Sequence, residues 1–340
     1  MHFNTVPFSP HDDSPVNVLL HDEPMKTFKD NVNSGVIKIE LPEHCTFNEL
    51  SIINDRQEIM NFGNRHHCDS IWKRIITDDE MDHLTDAGNA SFYGIRWKGM
   101  LISLMSLEKF NVMIHGSSYI AAFIDYSTVH PKFRKTGLHN TMIALIYLES
   151  IKHGCSFLFF TGDTKLNFKP CAVKPLYIYP LTSILQMCGI SSNQPNKPFT
   201  IRRRTIRTAT LDELKMLNHK KEFDVYLTYD DQLLCSMLKH YYIYTDGKCV
   251  LCFVPDISNI NNVAIKQALL VDWTNLSCPV FKEAVEELRS AGFDAVSFTN
   301  DGELKDLMMN IPFEKKNDAY YWTMNILPKT RKGRINLTVR

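Results

Sequence analysis

Apolar residues change their spacing twice within one stretch of the chain. From Ala121 to Val129 the sequence is apolar and rich enough in β-branched residues to predict a strand. After Gly137 the apolar residues recur at helical spacing, which predicts a helix. They are Leu138, Met142, Leu145 and Ile146. Cys155–Thr161 is apolar again and predicts a second strand, so the order of elements is strand, turn, helix, strand.

A similar alternation returns after Ile190–Pro198, a run of Ser, Asn, Gln and Pro that predicts a linker. Thr210–His219 begins with a capping threonine and an acidic first turn, and Val280–Ser290 is amphipathic and is followed by Gly292, so both predict helices. The other predicted elements are a helix over Glu303–Met309 and strands over Tyr241–Tyr244, Val250–Val254, Ala268–Val271, Phe293–Thr299 and Tyr320–Asn325.

The repeated order of elements predicts two related α/β lobes. Residues 1–36 are expected to form an extended arm, residues 37–190 an N-terminal lobe and residues 199–340 a C-terminal lobe. A chain of 340 residues is too long for one small core, which agrees with two lobes. Two lobes can bury each other's faces, so we expect a monomer.

The turn between the first predicted strand and its helix is basic. It contains Lys132, Arg134 and Lys135 and ends at Gly137. Backbone N–H groups at a helix N-terminus have no intrahelical partner, and the helix dipole favours negative charge there. A basic turn at this place predicts a phosphate site, although an ordinary surface turn has the same composition.

Composition narrows the class of protein. Lys and Arg equal Asp and Glu, 38 each, which argues against a dedicated nucleic-acid binder. The polar, proline-rich first residues do not resemble a secretory signal, and no apolar run is long enough to cross a membrane. Nine cysteines, an odd number without regular spacing, predict free thiols in a reducing compartment. We therefore expect a cytoplasmic protein without an integral membrane segment.

Two groups of potential metal ligands are better explained as ordinary structure. Cys249 and Cys252 lie in a predicted strand with no second pair nearby, which favours two separate thiols over zinc or redox chemistry. His66, His67 and Cys68 are adjacent, and adjacent residues seldom converge on one ion, so we expect a solvated loop. No metal site is predicted, and Arg202–Arg204 are expected to face solvent.

Five segments together resemble the eukaryotic-type N-myristoyltransferase family, whose members consist of two fused GNAT-like lobes. Phe3–Phe8 (FNTVPF) is similar to the family's N-terminal Phe-Trp-x-Thr-Gln-Pro-Val motif. Ile124–Leu138 (IDYSTVHPKFRKTGL) is similar to its Ile-Asn-Phe-Leu-Cys-Val-His-Lys-x-Leu-Arg-Ser-Lys-Arg-Leu segment. The other matching segments are Ile39–Leu50, Phe159–Leu181 and Gly292–Pro328. The resemblance implies an α/β fold of two fused GNAT-like lobes, each a mixed twisted sheet flanked by helices.

The resemblance also implies a reaction: transfer of a myristoyl group from myristoyl-CoA to the N-terminal glycine amine of peptides or nascent proteins. Myristoyl-CoA would be a co-substrate, and no permanently bound cofactor is implied. The residues that match the family's CoA-binding positions are Phe3, Asn4, Thr128, Val129, Arg134, Lys135, Thr136, Gly137 and Leu138. Those that match its peptide groove are Phe168, Tyr177 and Tyr179, where packing aromatics would fit equally well.

The same resemblance implies the catalytic groups. The backbone N–H groups of Tyr126 and Ser127 are expected to stabilise the oxyanion of the tetrahedral intermediate. The chain ends at Arg340, at about the tail length that the family has after the proline matching Pro328, so the terminal α-carboxylate is the expected base. Asp125 and Thr161 are expected to orient the amine. Since Asp125 stands where the family has asparagine, it is a second candidate for the base.

Departures from the family's motifs leave two other functions open. Asp125-Tyr126-Ser127-Thr128 stands in place of the family's Asn-Phe-Leu-Cys, and Leu138-His139-Asn140 in place of its Leu-Ala-Pro. A non-enzymatic descendant would bind acyl-CoA or an acylated peptide without turnover. An N-acyltransferase with a shorter acyl donor would use acetyl-CoA at least as efficiently as myristoyl-CoA.

Overall fold

The computed structural model describes residues 30–31, 34, 39, 41–67, 72–162, 172–191, 194–199, 207–220, 223–300, 304–324 and 335–336. Within these residues the strands are β1 Cys45–Leu50, β2 Trp72–Ile75, β3 Ala90–Trp97, β4 Met100–Ile114, β5 Ser117–Val129, β6 Phe157–Gly162, β7 Ala172–Pro180, β8 Arg207–Thr208, β9 Val225–Thr228, β10 Tyr242–Thr245, β11 Val250–Ile260, β12 Val263–Thr274, β13 Ala295–Thr299, β14 Glu314–Met324 and β15 Ile335–Asn336. The α-helices are α1 Arg56–His66, α2 Asp78–Ala87, α3 Leu138–Lys152, α4 Ile184–Met187, α5 Leu211–Leu214, α6 Asp231–His240, α7 Cys278–Ser290 and α8 Lys305–Asn310. Short 3-10 helices cover Pro131–Phe133 and Lys215–Asn218.

The chain forms two compact units, and each takes residues from several parts of the sequence. The first unit contains the described residues of Met1–His67, Asn89–Ala172 and Tyr320–Thr330. The second contains those of Cys68–Gly88, Val173–Ala319 and Arg331–Arg340. Each unit is a group of residues that are close in space, and the division of the chain into lobes at residues 190–199 stays a prediction.

The sheet of the first unit has the strand order β1-β3-β4-β5-β6-β14. Strands β3, β4 and β5 are antiparallel neighbours, whereas β5 and β6 are parallel and are connected by α3. The parallel connection requires a crossover, which the predicted helix supplies. The last residues of β14 run antiparallel to β6, with Tyr321 opposite Thr161. The predicted order of strand, turn, helix, strand over 121–161 is therefore confirmed.

Helix α3 covers one face of this sheet. Its residues Leu138, Met142 and Ile146 are buried, as their helical spacing predicted, and they join one apolar cluster with sheet residues that include Ile124 and Leu158. Burying a side chain of this size contributes about 1.5–3 kcal/mol. The start of α3 is thereby fixed relative to the end of β5, which positions the turn between them.

The second unit repeats the arrangement. Its sheet has the strand order β7-β13-β12-β11-β10-β8, with β2 also pairing with β11. Strands β12 and β13 are parallel and are connected by α7, while β7 is antiparallel to β13. Each unit is therefore a mixed sheet flanked by helices, as predicted.

Strands β11 and β12 are much longer than the segments Val250–Val254 and Ala268–Val271 that the sequence predicted. They form one hairpin whose turn is Asn261-Asn262, with φ values of 51° and 66°. Asparagine tolerates the left-handed conformation that a two-residue hairpin turn demands. The residues on either side of this turn include polar ones, so composition alone did not predict a strand there. They are in strands because they pair across the hairpin.

The helix predicted over 210–219 needs adjustment. Thr210 caps a helix, and its side chain and that of Glu213 form the reciprocal capping pair. The α-helix nevertheless ends at Leu214 and continues as a 3-10 turn to Asn218, so the helix predicted over 210–219 is only partly correct. The amide of Asn218 ends it by binding the backbone N–H and carbonyl of Tyr229, at 2.7 and 2.8 Å.

The remaining predicted elements are present with shifted ends. The predicted helices over 280–290 and 303–309 correspond to α7 and α8. The predicted strands over 241–244, 293–299 and 320–325 correspond to β10, β13 and β14. The described residues of the predicted linker, 190–191 and 194–198, belong to neither a helix nor a strand.

Candidate functional site

Strands β5 and β6 pair over a short stretch and then part. The parallel register joins Ala121–Phe123 to Phe157–Phe159. Beyond these residues β5 continues to Val129 and β6 to Gly162, and the register of the described residues contains no further pair between them. The two strands therefore separate beyond Phe123 and Phe159, and this separation is the opening at the end of β5, where the basic turn begins.

A β-bulge lies on β5 at this opening. Asp125 is opposite Ser106 and Thr128 is opposite Leu104, so Tyr126 and Ser127 share one place in the register of β4. Tyr126 has φ 52°, in the left-handed region, and it is buried with its ring centroid 5.1 Å from that of Phe92. A non-glycine residue in this conformation costs about 1–3 kcal/mol, and such strain concentrates at functional sites. The bulge therefore contains the two residues whose backbone N–H groups the sequence resemblance implies for the oxyanion.

The side chain of Ser127 leaves the bulge toward the first turn of α3. Its Oγ lies 2.8 Å from Nε2 of His139. Desolvation lowers the pKa of His139 below its ordinary value, and a hydrogen bond with the Asn140 side chain opposes this shift. The imidazole is therefore mostly neutral at pH 7. Sequence reasoning did not identify His139, although it stands at a position where the family's motif has alanine.

The turn itself is built to expose the start of α3. His130 opens a 3-10 turn by accepting the Lys132 N–H at Nδ1, at 3.2 Å, and Thr136 Oγ1 donates to the Phe133 carbonyl at 2.7 Å. Gly137 precedes the helix with φ 88°, and no side chain caps the first N–H groups of α3. Uncapped N–H groups at a helix start, beside exposed Lys135, suit an anion such as a phosphate.

Arg134 holds the turn against two other elements. Its Nε donates to the Val129 carbonyl at 3.1 Å, and its Nη2 donates to the His66 carbonyl at 2.8 Å. Arg134 thus connects the end of β5 with the C-terminal end of α1, while the side chain remains exposed. Its remaining N–H groups are left for an anion, so we expect a structural and a binding role together.

The prediction that His66, His67 and Cys68 form a solvated loop is wrong for His66. His66 is the last residue of α1, and its ring lies between Phe62 and His130, at centroid distances of 4.9 and 4.6 Å. Desolvation, followed by the charges of His130 and nearby arginines, lowers its pKa. His67 Nδ1 lies 3.0 Å from Oγ1 of Thr128, which is buried. Only the fold reveals these contacts, because α1 and β5 are far apart in sequence.

The other predicted site residues of this unit have the following places. Asp125 and Val129 are half-buried on β5, and Leu138 is buried at the start of α3. Thr161 is half-buried on β6, beyond the part of that strand that pairs with β5. The structure thus brings Asp125, Ser127 and the turn to one opening, and it places Thr161 on the strand at its other side.

The predicted peptide-groove residues of the second unit lie on β7. Tyr177 is half-buried and stacks on Phe298, with ring centroids 5.7 Å apart. Tyr179 is only 1% exposed and packs between Phe199 and Phe313. Tyr179 is therefore part of an apolar core, and its place in a groove stays a prediction. Phe3, Asn4, Phe168 and Arg340 lie outside the described residues, as do Cys68 and Arg202–Arg204.

The remaining predictions concern cysteines, metal ligands and membrane segments. Cys249 and Cys252 are buried free thiols, and burial raises the pKa of Cys249 to about 12. The described residues contain no group of three or more His, Cys, Asp or Glu side chains that could hold a metal ion. None of the helices described here is long and apolar enough to cross a membrane.

Comparison with solved structures defines the class of fold. A GCN5-related N-acetyltransferase from Anabaena variabilis is similar with a TM-score of 0.51 and 14% identity, over 85% of this chain and 75% of that chain. The fold is α/β, with GNAT-like lobes in tandem, as the sequence predicted.

Structures of Saccharomyces cerevisiae N-myristoyltransferase with bound myristoyl-CoA are more similar. One has a TM-score of 0.76 and 11% identity, covering 88% of this chain and 90% of that chain. Another has a TM-score of 0.75 and 12% identity, covering 88% and 86%. No protein-family profile and no curated protein matches the chain in sequence. The chain therefore has the fold of N-myristoyltransferase structures, which confirms the predicted resemblance at the level of fold.

Proposed function

We propose that this protein transfers a myristoyl group from myristoyl-CoA to the α-amine of an N-terminal glycine. The observation that carries the proposal is the bulge and opening at the end of β5, followed by the basic turn at the start of α3. It occurs in a chain whose fold matches that of yeast N-myristoyltransferase structures with bound myristoyl-CoA.

The CoA pyrophosphate would bind at the turn. The N–H groups at the start of α3 and the side chains of Arg134 and Lys135 offer donors and positive charge. Thr128 and Val129 would lie beside the pantetheine, and Phe3 and Asn4 are expected to complete the CoA site. The thioester would then reach the opening between β5 and β6.

Acyl transfer needs donors for the oxygen that becomes negative in the tetrahedral intermediate. The backbone N–H groups of Tyr126 and Ser127 supply them in this proposal, and the bulge that contains both residues supports it. Asp125 and Thr161 would orient the incoming amine, one from each side of the opening.

The amine must lose a proton before it attacks, because an α-amino group has a pKa of about 8. The α-carboxylate of Arg340 is the base that the family resemblance implies. Its reference pKa is roughly 3.5, so it needs burial to become a useful acceptor. Asp125 is the second candidate. On the peptide side, Phe168, Tyr177 and Tyr179 are the groove residues that the family resemblance implies.

The same proposal covers the setting of the reaction. We place the protein in the cytoplasm as a monomer that acts on N-terminal glycine peptides or nascent proteins. The N-terminal lobe, residues 37–190, would bind acyl-CoA after the arm 1–36, and the C-terminal lobe, residues 199–340, would face the peptide and return the tail to the active site.

Mass spectrometry of a peptide product tests the proposal. Purified protein is mixed with myristoyl-CoA and a short peptide that begins Gly-x-x-x-Ser, and we expect the peptide to gain one myristoyl group at its α-amine. The same peptide with an acetylated N-terminus is the matched control and should remain unmodified. A variant extended by a few residues beyond Arg340 should lose most of the activity if the terminal carboxylate is the base.

Three outcomes would contradict parts of the proposal. Equal or faster turnover with acetyl-CoA would identify a shorter acyl donor. Tight binding of myristoyl-CoA without any product would identify a binding protein. Full activity of the extended variant, with loss of activity in Asp125→Ala and Asp125→Asn alike, would move the base from Arg340 to Asp125.

A further inference from the structure

The hydrogen bond between Ser127 and His139 has no part in the reaction proposed above. It joins the bulge on β5 to the first turn of α3, with Oγ and Nε2 2.8 Å apart. The pair has solvent-exposed surface, so small molecules and water can approach it. Both residues depart from the family's motifs, which have leucine and alanine at these positions, so the pair is a feature of this chain.

A serine hydroxyl within about 2.6–3.2 Å of an imidazole nitrogen is the arrangement that activates a serine nucleophile. The imidazole must be neutral to accept the proton, and the lowered pKa of His139 agrees with this. A third group usually orients the base. The neighbouring Asn140, whose side chain raises the pKa of His139 by hydrogen bonding, is the candidate for that role.

The position of Ser127 in the bulge adds a second condition for such chemistry. Its Oγ is separated from its own backbone N by three bonds, so the two atoms lie within about 4 Å of each other in any rotamer. An acyl carbonyl held by the Ser127 N–H is therefore close to Oγ. In serine hydrolases the N–H of the nucleophilic serine itself often contributes to the oxyanion hole.

We propose that Ser127 is an acyl acceptor with His139 as its base, so that the protein also hydrolyses acyl-CoA through an acyl-serine intermediate. The inference rests on the acyl-CoA binding of the proposed function. Oγ forms a bond to the thioester carbon while its proton passes to His139 Nε2. The C–S bond then breaks, and the imidazolium returns the proton to the leaving CoA thiolate.

Water completes the cycle. His139 takes a proton from a water molecule that attacks the acyl-serine ester, and the ester C–O bond breaks. The proton returns to Ser127 Oγ, and a free fatty acid leaves. A peptide amine and the Ser127 hydroxyl thus compete for the same bound acyl-CoA, and water reacts only with the acyl-serine.

The first experiment omits the peptide. The full-length protein is incubated with myristoyl-CoA, quenched in acid and mapped by mass spectrometry, while free CoA and free myristate are measured in parallel. We expect a myristoyl group on Ser127 and release of myristate. Ser127→Ala should show neither, and His139→Ala should slow both by at least about 100-fold, the usual effect of losing a general base.

Two further variants separate chemistry from folding. Ser127→Cys retains a nucleophile and should carry the acyl group as a thioester that hydroxylamine removes. Lys152→Ala changes an exposed residue at the other end of α3, whose amine pairs with Glu149, and should behave as the unchanged protein. If His139→Gln is as active as the unchanged protein in forming the adduct, His139 is not the base and the inference is overturned.

A fluorophosphonate probe gives a readout that needs no acyl-CoA. It should label Ser127 in the unchanged protein and fail to label Ser127→Ala. Peptide myristoylation without any Ser127 adduct or probe labelling overturns this inference and leaves the proposed function intact. A Ser127 adduct with free myristate and no peptide product supports this inference and overturns the proposed acceptor. Absence of acyl-CoA binding, product and labelling overturns both.

Discussion

The two units contain the same strand–turn–helix–strand segment, and the contrast between the copies identifies the one suited to binding. In the first unit β5, α3 and β6 are joined through His130–Gly137, a turn with three basic residues. In the second, β12, α7 and β13 are joined through Asn275–Ser277, which carries no charge. Topology is shared, but only the first turn offers charge to an anion.

The helix starts differ in the same sense. Gly137 precedes α3 without a side-chain cap, whereas Ser277 Oγ accepts the Val280 N–H at the start of α7, at 3.4 Å. A capping side chain occupies a donor that an anion would otherwise use. The first helix start is open to a ligand, and the second is partly satisfied by the protein.

Both long hairpins carry a bulge close to the end of the strand that leads into the turn. In the second unit the bulge is at Val271, and the next residue, Asp272, is buried. Its carboxylate accepts hydrogen bonds from Lys220, from the Tyr229 hydroxyl at 2.6 Å and from the Trp273 N–H at 2.7 Å. A buried ion pair therefore lies beside the bulge of the second unit. In the first unit Ser127 is part of the bulge and Asp125 lies next to it, and both residues are half-buried.

Removing Asp272 should have the largest effect. Asp272→Ala leaves the Lys220 ammonium buried without its carboxylate, and we expect a loss of about 3–5 kcal/mol in the free energy of unfolding. Urea unfolding followed by tryptophan fluorescence measures it. The double variant Lys220→Met/Asp272→Leu should recover much of the loss, because it removes both charges. A loss below 1 kcal/mol in the single variant would show that this cluster does not stabilise the second unit.

A matched pair of glycine substitutions compares the two segments directly. Gly137 and Gly292 have φ values of 88° and 77°, and an added Cβ meets no atom within 4 Å at either place. Alanine at each should therefore cost about 1–2 kcal/mol of stability through backbone strain alone. Only Gly137→Ala should also weaken CoA binding, by roughly tenfold, measured by isothermal titration calorimetry. Equal CoA affinities in both variants would remove the turn before α3 from the proposed binding site.

Deleting the cap of α7 should have a smaller effect. Ser277→Ala removes the acceptor for the Val280 N–H and should lower the free energy of unfolding by about 1 kcal/mol. CoA binding should not change, because the second helix start has no ligand in our proposal. A lower CoA affinity in Ser277→Ala would contradict our assignment of CoA binding to the start of α3 alone.

The smallest effect is a pH dependence within the second unit. Burial alone lowers the pKa of His240, but its hydrogen bonds with Asp79 and Asp86 outweigh burial and raise it. Its ring nitrogens lie 2.9 and 3.1 Å from those carboxylates, and Lys239 also pairs with Asp86. A raised folded-state pKa gives stability that is fully present below the unfolded value near 6.5 and is lost as pH rises through the folded value.

Thermal unfolding at several pH values measures this effect. The melting temperature of the unchanged protein should fall slightly more than that of His240→Gln between pH 6 and pH 8, because the variant has no proton to lose. A steeper fall in the variant would contradict the assignment of the raised pKa to His240.

Much of the site's framework was predictable from local sequence. The strand before the turn, the basic residues within it and the helix after Gly137 follow from periodicity and composition, since each depends on near neighbours. The bulge did not, because Tyr126 adopts a left-handed conformation that its residue type disfavours and that only pairing with β4 imposes. The hairpin at Asn261-Asn262 was not predicted either, because it depends on the pairing of β11 with β12, which are distant along most of their length in sequence.

The sequence by itself determined the α/β class, the two repeated lobes, the basic turn at the start of α3 and the resemblance that implies acyl-CoA chemistry. The tertiary structure alone decided that His66 contacts His130, that His67 contacts Thr128, that Tyr179 is buried, and that Ser127 meets His139. These contacts join residues from different elements. They form only when the core packs and fixes the strand against the helix. The spacing of residues along the sequence does not reveal that packing.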